Sequence, residues 1–358
     1  MLSAIDVAQD SICLETYTYT ADALGERFRS ALIRARQRGV GVRVLIDALG
    51  SFGLSQSFWE PLRVVGGQVR QFNPLSLNRM GIRNHRKLLV CDERIAFVGG
   101  YNISQEYDGD GITCGWCDVG LKIEGALASE LAASFDEMFG RADFRHKRFI
   151  RLRKSSANKM VLAPHEQLLL SGPGGLGQNP IKTALRQDLA KARDVQIAVA
   201  YFLPSWRFRR QLMRVVQNGG RVQLLLAGKS DVAVSQLAAQ SLYRRFLKEG
   251  VEIHEYEPQI LHAKLFIIDD IVYVGSANLD QRSLNINYEL MIRFENKEIA
   301  KEARGVFGTY LTHSRTIDLE YWRRERTIWR RIKQHWAYFL LVRIDPYVAQ
   351  IQWRSLPD

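Results

Sequence analysis

The sequence predicts an α/β fold built from two similar lobes related by a pseudo-twofold axis, each a β-sheet flanked by helices. Three observations carry this. The pattern His-x-Lys-x-x-x-x-Asp occurs twice, from His85 to Asp92 and from His262 to Asp269. Each copy is followed by a glycine turn and an asparagine, Gly99-Gly100-Tyr101-Asn102 and Gly275-Ser276-Ala277-Asn278. Short runs rich in Val, Ile and Leu alternate with amphipathic stretches, as expected of strands covered by helices. With average residue usage, three fixed residues at fixed spacing arise by chance at roughly one position in ten thousand. The period exceeds the roughly 20 to 50 residues of a solenoid repeat and suits a duplicated domain.

The elements follow the same order in both halves. Ile12 to Tyr17 reads as a strand, Leu24 to Arg38 as an amphipathic helix and Val42 to Ile46 as a strand. In the second half Val195 to Tyr201, Trp206 to Gln217 and Val222 to Leu226 repeat that order. Gly39, Gly41, Gly219 and Gly220 end the helices. The second half opens with a further strand, Gln167 to Ser171, then a glycine loop and a helix at Asn179-Pro180, where Pro suits the first helical position. The first half starts directly with its helix, so the counterpart of the Gln167 strand is expected upstream of Met1. Between the halves, Arg145, Lys147, Arg148, Arg151, Arg153 and Lys154 face only Asp143, which reads as a basic connector. The expected boundaries are 1–140 for the first lobe, 141–165 for the linker, 166–320 for the second lobe and 321–358 for a basic, Trp-rich tail.

At 358 residues and 46% hydrophobic content the chain can bury two medium cores. Fifty Lys and Arg against 38 Asp and Glu give a net charge of +12, which favours a polyanionic partner, either nucleic acid or an anionic membrane. No run approaches eighteen apolar residues and the N-terminus lacks a secretory pattern, so any membrane contact is expected to be peripheral. Four cysteines, Cys13, Cys91, Cys114 and Cys117, are too few and too uneven for a disulfide framework.

His and Lys one residue apart project from the same face of a strand, so His85 with Lys87, and His262 with Lys264, each address one space. If the lobes meet symmetrically, two imidazoles and two ammoniums converge with Asn102 and Asn278 on a phosphoryl pocket. One imidazole can attack phosphorus while the other protonates the departing alkoxide. The lysines and asparagines stabilise charge on the non-bridging oxygens, so neither metal nor cofactor is called for. A nucleophilic imidazole needs its other nitrogen held, and Glu289 and Asp118 are the candidate carboxylates. Asp92 and Asp269 belong to the catalytic motif by spacing, yet they lie past the apolar runs, where a turn or a buried hydrogen bond is expected.

These residues resemble the phospholipase D superfamily, whose members carry two such motifs. Phe72-Asn73-Pro74 through Asn84 to Val90, Gly99 to Ile103, Tyr201-Phe202-Leu203-Pro204 and Asn278 to Ser283 resemble bacterial cardiolipin synthases, and the superfamily resemblance covers nearly the whole chain. The resemblance implies two lobes, each a mixed β-sheet, and transfer of a phosphatidyl group to phosphatidylglycerol through a phosphohistidine. It implies His85 as nucleophile, Asn102, Ser276 and Asn278 as substrate-binding residues, and a site on the cytoplasmic face of the bacterial cytoplasmic membrane. Gly100 departs from its counterpart Ser276, and the insertion-like Gly111 to Cys117 precedes Asp118. The tail fits a lipid partner: Trp322, Trp329 and Trp336 recur every seven residues among arginines that include Arg330 and Arg331, and on one helix they would share a flank.

Rival readings are weaker. Gly172-Pro173-Gly174-Gly175-Leu176-Gly177 satisfies a dinucleotide fingerprint, but a proline sits inside it and no acidic ribose ligand follows convincingly. Cys114 and Cys117 have zinc spacing without a second pair. A hydrolase releasing phosphatidic acid, or a nuclease, would use the same motifs, although the tail disfavours nucleic acid. No obligate protein partner is called for.

Overall fold

The computed structural model describes residues 1–74, 81–142, 159–162, 165–173, 179–325 and 327–344. The first half runs α1 (Leu2–Val7), β1 (Ser11–Thr16), α2 (Ala23–Gln37), β2 (Gly41–Asp47), α3 (Glu60–Val64), β3 (Gln68–Phe72), β4 (Leu88–Cys91), β5 (Ile95–Gly99), β6 (Gly120–Glu124) and α4 (Ala126–Gly140). The second runs β7 (Lys159–Leu162), β8 (Glu166–Ser171), α5 (Pro180–Leu189), β9 (Asp194–Val199), α6 (Trp206–Gln217), β10 (Arg221–Ala227), α7 (Ala233–Lys248), β11 (Glu252–Tyr256), β12 (Lys264–Ile268), β13 (Ile271–Gly275), α8 (Gln281–Asn285), β14 (Glu289–Glu295) and α9 (Lys297–Thr312). β15 (Ser314–Ile317), α10 (Leu319–Glu325) and α11 (Ile328–Phe339) close the described chain.

Six strands form one sheet in the order β3-β2-β1-β4-β5-β6, and nine form the other as β15-β11-β10-β9-β12-β13-β14-β8-β7. The stretch β3 to β6 of the first corresponds strand for strand to β11 to β14 of the second. In both, parallel strands joined by helices meet an antiparallel hairpin, so each sheet is mixed. The hairpin strands β4 and β12 carry the motif and are buried on both faces, which is why their sequences read as unbroken apolar runs. α1, α2 and α3 cover the outer face of the first sheet. α5, α6, α7 and α10 cover the outer face of the second. α4 and α9 lie between the sheets, where Leu168, Leu170 and Leu290 of one lobe pack on Leu88, Val90 and Leu131 of the other.

Two expectations change on contact with the structure. The stretch read as linker ends in β7, which hydrogen-bonds to β8 and forms the outermost strand of the second sheet. The basic residues 143–158 and loop residues 174–178 lie outside the described residues. The tail is described as two helices, α10 and an α11 newly capped by Thr327, and Trp322 is buried while Trp329 and Trp336 are exposed.

Asp92 and Asp269 stand at the far ends of β4 and β12 from the histidines and have no part in the site, correcting their place in a catalytic set. Each sits in the left-handed turn of its hairpin, at φ 55° and 49°. Asp92 Oδ1 accepts the backbone N–H groups of Asp10 and Ser11 at 2.8 and 3.0 Å, and Asp269 Oδ1 accepts that of Asp194 at 2.8 Å. They thereby pin the start of β1 and β9 to the neighbouring hairpin. We expect Asp92→Ala and Asp269→Ala each to lower unfolding free energy by about 1–2 kcal/mol in urea titration. Partial burial opposes ionisation of Asp92, but the backbone N–H groups outweigh it and hold the carboxyl below its usual range. Its contribution is therefore complete above the unfolded carboxylate pKa of about 3.9 and lost as pH falls through the lower folded value.

Candidate active site

The two hairpins bring His85 and His262 to one cavity of about 500 Å³ at the junction of the lobes, which Asn102, Asn278, Tyr107 and Trp116 also line. Each histidine is held by the opposite lobe. His85 Nδ1 lies 3.1 Å from Glu289 Oε1, and its backbone N–H donates to Tyr288 O at 3.0 Å. His262 Nδ1 lies 2.7 Å from Asp118 Oδ2, and its backbone N–H donates to Cys117 O at 2.7 Å. When the carboxylate is ionised it accepts this hydrogen bond, which puts the imidazole proton on Nδ1 and the lone pair on Nε2.

The sheet register makes Asp118 the counterpart of Glu289, because Gly99 opposes Gly120 and Gly275 opposes Met291. Their lengths differ by one methylene, and the turn residues compensate. Ser276, fully buried, donates its hydroxyl to Glu289 Oε2. At Gly100, the counterpart of Ser276, a Cβ would lie 2.5 Å from Asp118 Oδ1. Ser276 therefore supports a carboxylate beneath His85 and does not line the cavity, which corrects its assignment as a substrate contact.

The asparagines are fixed in equivalent ways. Asn102 Oδ1 accepts the backbone N–H of Thr18 at 3.1 Å and Asn278 Oδ1 that of Tyr201 at 3.4 Å. Their oxygens thus face the scaffold. Asn102 Nδ2 donates to the Tyr107 hydroxyl at 2.9 Å. Lys87 and Lys264 are buried and each donates to the carbonyl of its own motif histidine. Lys264 Nζ also lies 2.9 and 3.1 Å from the ring nitrogens of His262.

Burial and neighbouring cations dominate the protonation states. Burial, then Lys87 and Lys264, push His85 well below the usual imidazole range. Burial and Lys264 push His262 down to about 4, with Asp118 opposing them. Burial drives Lys264 down to about 8 and Lys87 well below the usual ammonium range. Burial also raises Glu289 to about 8, against the pull of Lys87. Positive charge is thus disfavoured on both imidazoles and both lysines, so an anion between them would relieve that cost. Among the described residues, no group of three or more His, Cys, Asp or Glu side chains converges to hold a metal ion.

Sequence reasoning missed the aromatic and polar residues around this core. Tyr17 packs edge-on against His85 at 5.1 Å, and Tyr107 and Trp116 lie 5.3 and 5.4 Å from the His262 ring. Trp116 sits inside the Cys114-Gly115-Trp116-Cys117 stretch, whose free cysteines and His262 contact show an interlobe brace. Asn84 donates from its side chain to buried Glu15 at 2.7 Å and from its backbone to buried Asp47 at 2.9 Å. Arg86 and Arg83 pair with the same two carboxylates at 3.1 and 3.2 Å. The run Arg83-Asn84-His85-Arg86-Lys87 was the available signal: such polarity ahead of a buried strand needs buried partners.

The tail residues divide. Trp329 and Trp336 are 71% and 67% exposed, and Arg331 is exposed. Trp322 is only 2% exposed and packs 4.9 Å from Tyr243 in the second core. Arg330 turns inward over that indole at 5.4 Å and reaches Gln240 Oε1 at 3.3 Å. Trp322 and Arg330 are thus core and cover, not membrane contacts.

Comparison with known proteins decides the family. The cardiolipin synthase, phospholipase D-like domain family matches residues 1–139 and 185–311. The chain belongs to that phospholipase D-like family. It is 31% identical to cardiolipin synthase 1 of Bacillus anthracis over 88% of this chain and 65% of that protein. The major cardiolipin synthase ClsA of Bacillus subtilis is 32% identical over 93% and 70%, and cardiolipin synthase B of Escherichia coli K12 is 31% identical over 95% and 84%. The chain therefore spans slightly under two thirds of the Bacillus anthracis relative. In fold, it matches phosphatidylserine synthase of Haemophilus influenzae with a TM-score of 0.74 at 14% identity, covering 98% of this chain and 92% of that one. Polyphosphate kinase of Porphyromonas gingivalis matches at 0.60 and 16% identity, covering 89% and 46%. The phospholipase D-like fold thus accounts for the pairing of the two lobes.

One test reads the electrostatics directly. In nitrogen NMR of the ligand-free protein, the His262 ring should stay neutral down to about pH 4. Asp118 raises that value, so Asp118→Asn should lower it further. Because the folded value lies below the unfolded one of about 6.5, stability should fall as pH drops from about 6.5 through the folded pKa.

Proposed function

We propose that this protein is a phosphatidyltransferase of cardiolipin synthase type, moving a phosphatidyl group onto phosphatidylglycerol. The observation that carries the reading is reciprocal: two imidazoles, each backed by a carboxylate of the other lobe, share one cavity, and a buried lysine lies behind each on its backbone carbonyl. The bacterial relatives, each named a cardiolipin synthase, supply the substrate class.

A phosphodiester anion entering the cavity satisfies Lys87 and Lys264 and restores their proton affinity, since an opposite charge favours the charged form. It acts on His262 in the same sense, and Asp118 stabilises the imidazolium. His85 Nε2 attacks phosphorus, the phosphorus–oxygen bond to the donor's glycerol headgroup breaks, and His262 gives its Nε2 proton to the departing alkoxide. The phosphatidyl group is then held on His85. A hydroxyl of phosphatidylglycerol passes its proton to His262 while its oxygen attacks phosphorus and the phosphorus–nitrogen bond breaks. Cardiolipin leaves and both rings regain their starting states, with His262 again protonated for the next donor. Throughout, Lys87, Lys264 and the amides of Asn102 and Asn278 stabilise charge on the non-bridging oxygens, so the reading assigns no step to a metal or cofactor.

The partner in this reading is anionic phospholipid at a bacterial cytoplasmic membrane, approached from its cytoplasmic face. A net charge of +12 favours such a surface. Among the described residues no helix is long and apolar enough to cross a membrane.

Mass spectrometry of lipids after incubation with phosphatidylglycerol vesicles tests the reaction. The expected products are cardiolipin and glycerol, with the rate unchanged by chelators. His85→Ala and His262→Ala should each reduce turnover at least about 10³-fold. Phosphatidic acid alone would replace the transferase by a hydrolase, and strong metal dependence would overturn the assignment of charge stabilisation to the lysines. Loss of the Lys264 proton should lower kcat/KM as pH rises through about 8.

A further inference from the structure

An exposed apolar stripe lies outside the chemistry just described. On α11, Ile328, Trp329, Ile332, Trp336 and Phe339 are 62%, 71%, 43%, 67% and 50% exposed, and Leu340 in the following turn is 41% exposed. At 100° per residue these positions fall within about 120° of the helix circumference. Lys333 borders the stripe on one side, with Arg331 and His335 on the other, and α11 contains no acidic residue. Arg323 and Arg324 precede it on α10 and are exposed.

The opposite side of α11 is docked. Gln334 and Ala337 are buried, and Ala337 packs with Leu203 and Ala238. Leu341, one turn on, joins that cluster and also lines the active-site cavity beside Leu203 and Val232. One short helical segment therefore presents an apolar face to solvent and supplies a wall of the cavity.

Resting on the transferase reading, we propose that α11 is the surface by which this protein seats on an anionic lipid bilayer. Its apolar stripe enters the headgroup boundary, and the neighbouring wall around Leu341 carries lipid from the bilayer to the histidines. Two features select a bilayer over a second copy of the chain. Tryptophan favours the headgroup boundary, and bordering cations suit lipid phosphates. Two copies that each carry +12 would bring those cations together.

The test is cosedimentation of the full chain with phosphatidylcholine vesicles containing phosphatidylglycerol, in a His85→Ala background so that the lipid is not consumed. Trp329→Ser with Trp336→Ser should weaken binding about tenfold or more without changing the melting temperature, since both indoles are exposed. Pure phosphatidylcholine vesicles, or added salt, should weaken binding of the parent protein. Unchanged vesicle binding by the double variant overturns the proposal. So does a dimer of the parent, seen by light scattering, that the double variant splits. Cardiolipin formation by the unsubstituted protein is scored separately, so the docking surface and the transferase reading can fail independently.

Discussion

Everything at this site depends on a crossed pair of carboxylate–imidazole contacts, Glu289 of the second lobe on His85 of the first and Asp118 of the first on His262 of the second. A hydrogen bond to Nδ1 fixes the tautomer and aims Nε2, and here that aim is set by the opposite half of the molecule. The backbone follows the same rule, with His85 and His262 tied to Tyr288 and Cys117 across the junction. Registration of the lobes is thereby the same physical fact as orientation of the imidazoles. The apolar layer of α4 and α9 between the sheets makes that registration rigid, because close-packed side chains allow few alternative arrangements.

The lobes reach one geometry by different means. The register aligns Glu15 with Ala198 and Asp47 with Ala227. In the first lobe these carboxylates receive Arg86, Arg83 and Asn84 in a buried network. In the second, Ala263 and Leu261 occupy the corresponding places in an apolar cluster. A buried ion pair is a poor source of net stability, since desolvation offsets most of the attraction, yet losing one partner strands a charge. The network therefore fixes the approach to His85 more than it strengthens the fold.

Much of this was legible in the chain. The duplicated motif gave the two lobes, the alternation of apolar runs and amphipathic stretches gave the sheet with its helices, and spacing on a strand put His85 with Lys87 and His262 with Lys264. Glu289 and Asp118 could be nominated because imidazole chemistry demands a partner, although their crossing depends on tertiary placement. Ser276 misled because the family resemblance implied a substrate contact, while the longer carboxylate of Glu289 claims its hydroxyl. Trp322 misled because a seven-residue period implies one helix face only if the helix is continuous, whereas α11 starts afresh at its Thr327 cap. Tyr17 and Tyr107 carried no local signal, since their approach to the histidines is set by loops.

The unequal carboxylates carry a consequence for how this chain can change. Glutamate is matched to serine on one side, and aspartate to glycine on the other. Exchanging either member alone produces a collision at Gly100 or a buried carboxylate without its hydroxyl. The halves share one pattern, but neither can borrow a single residue from its twin: the two sides can exchange these residues only as pairs.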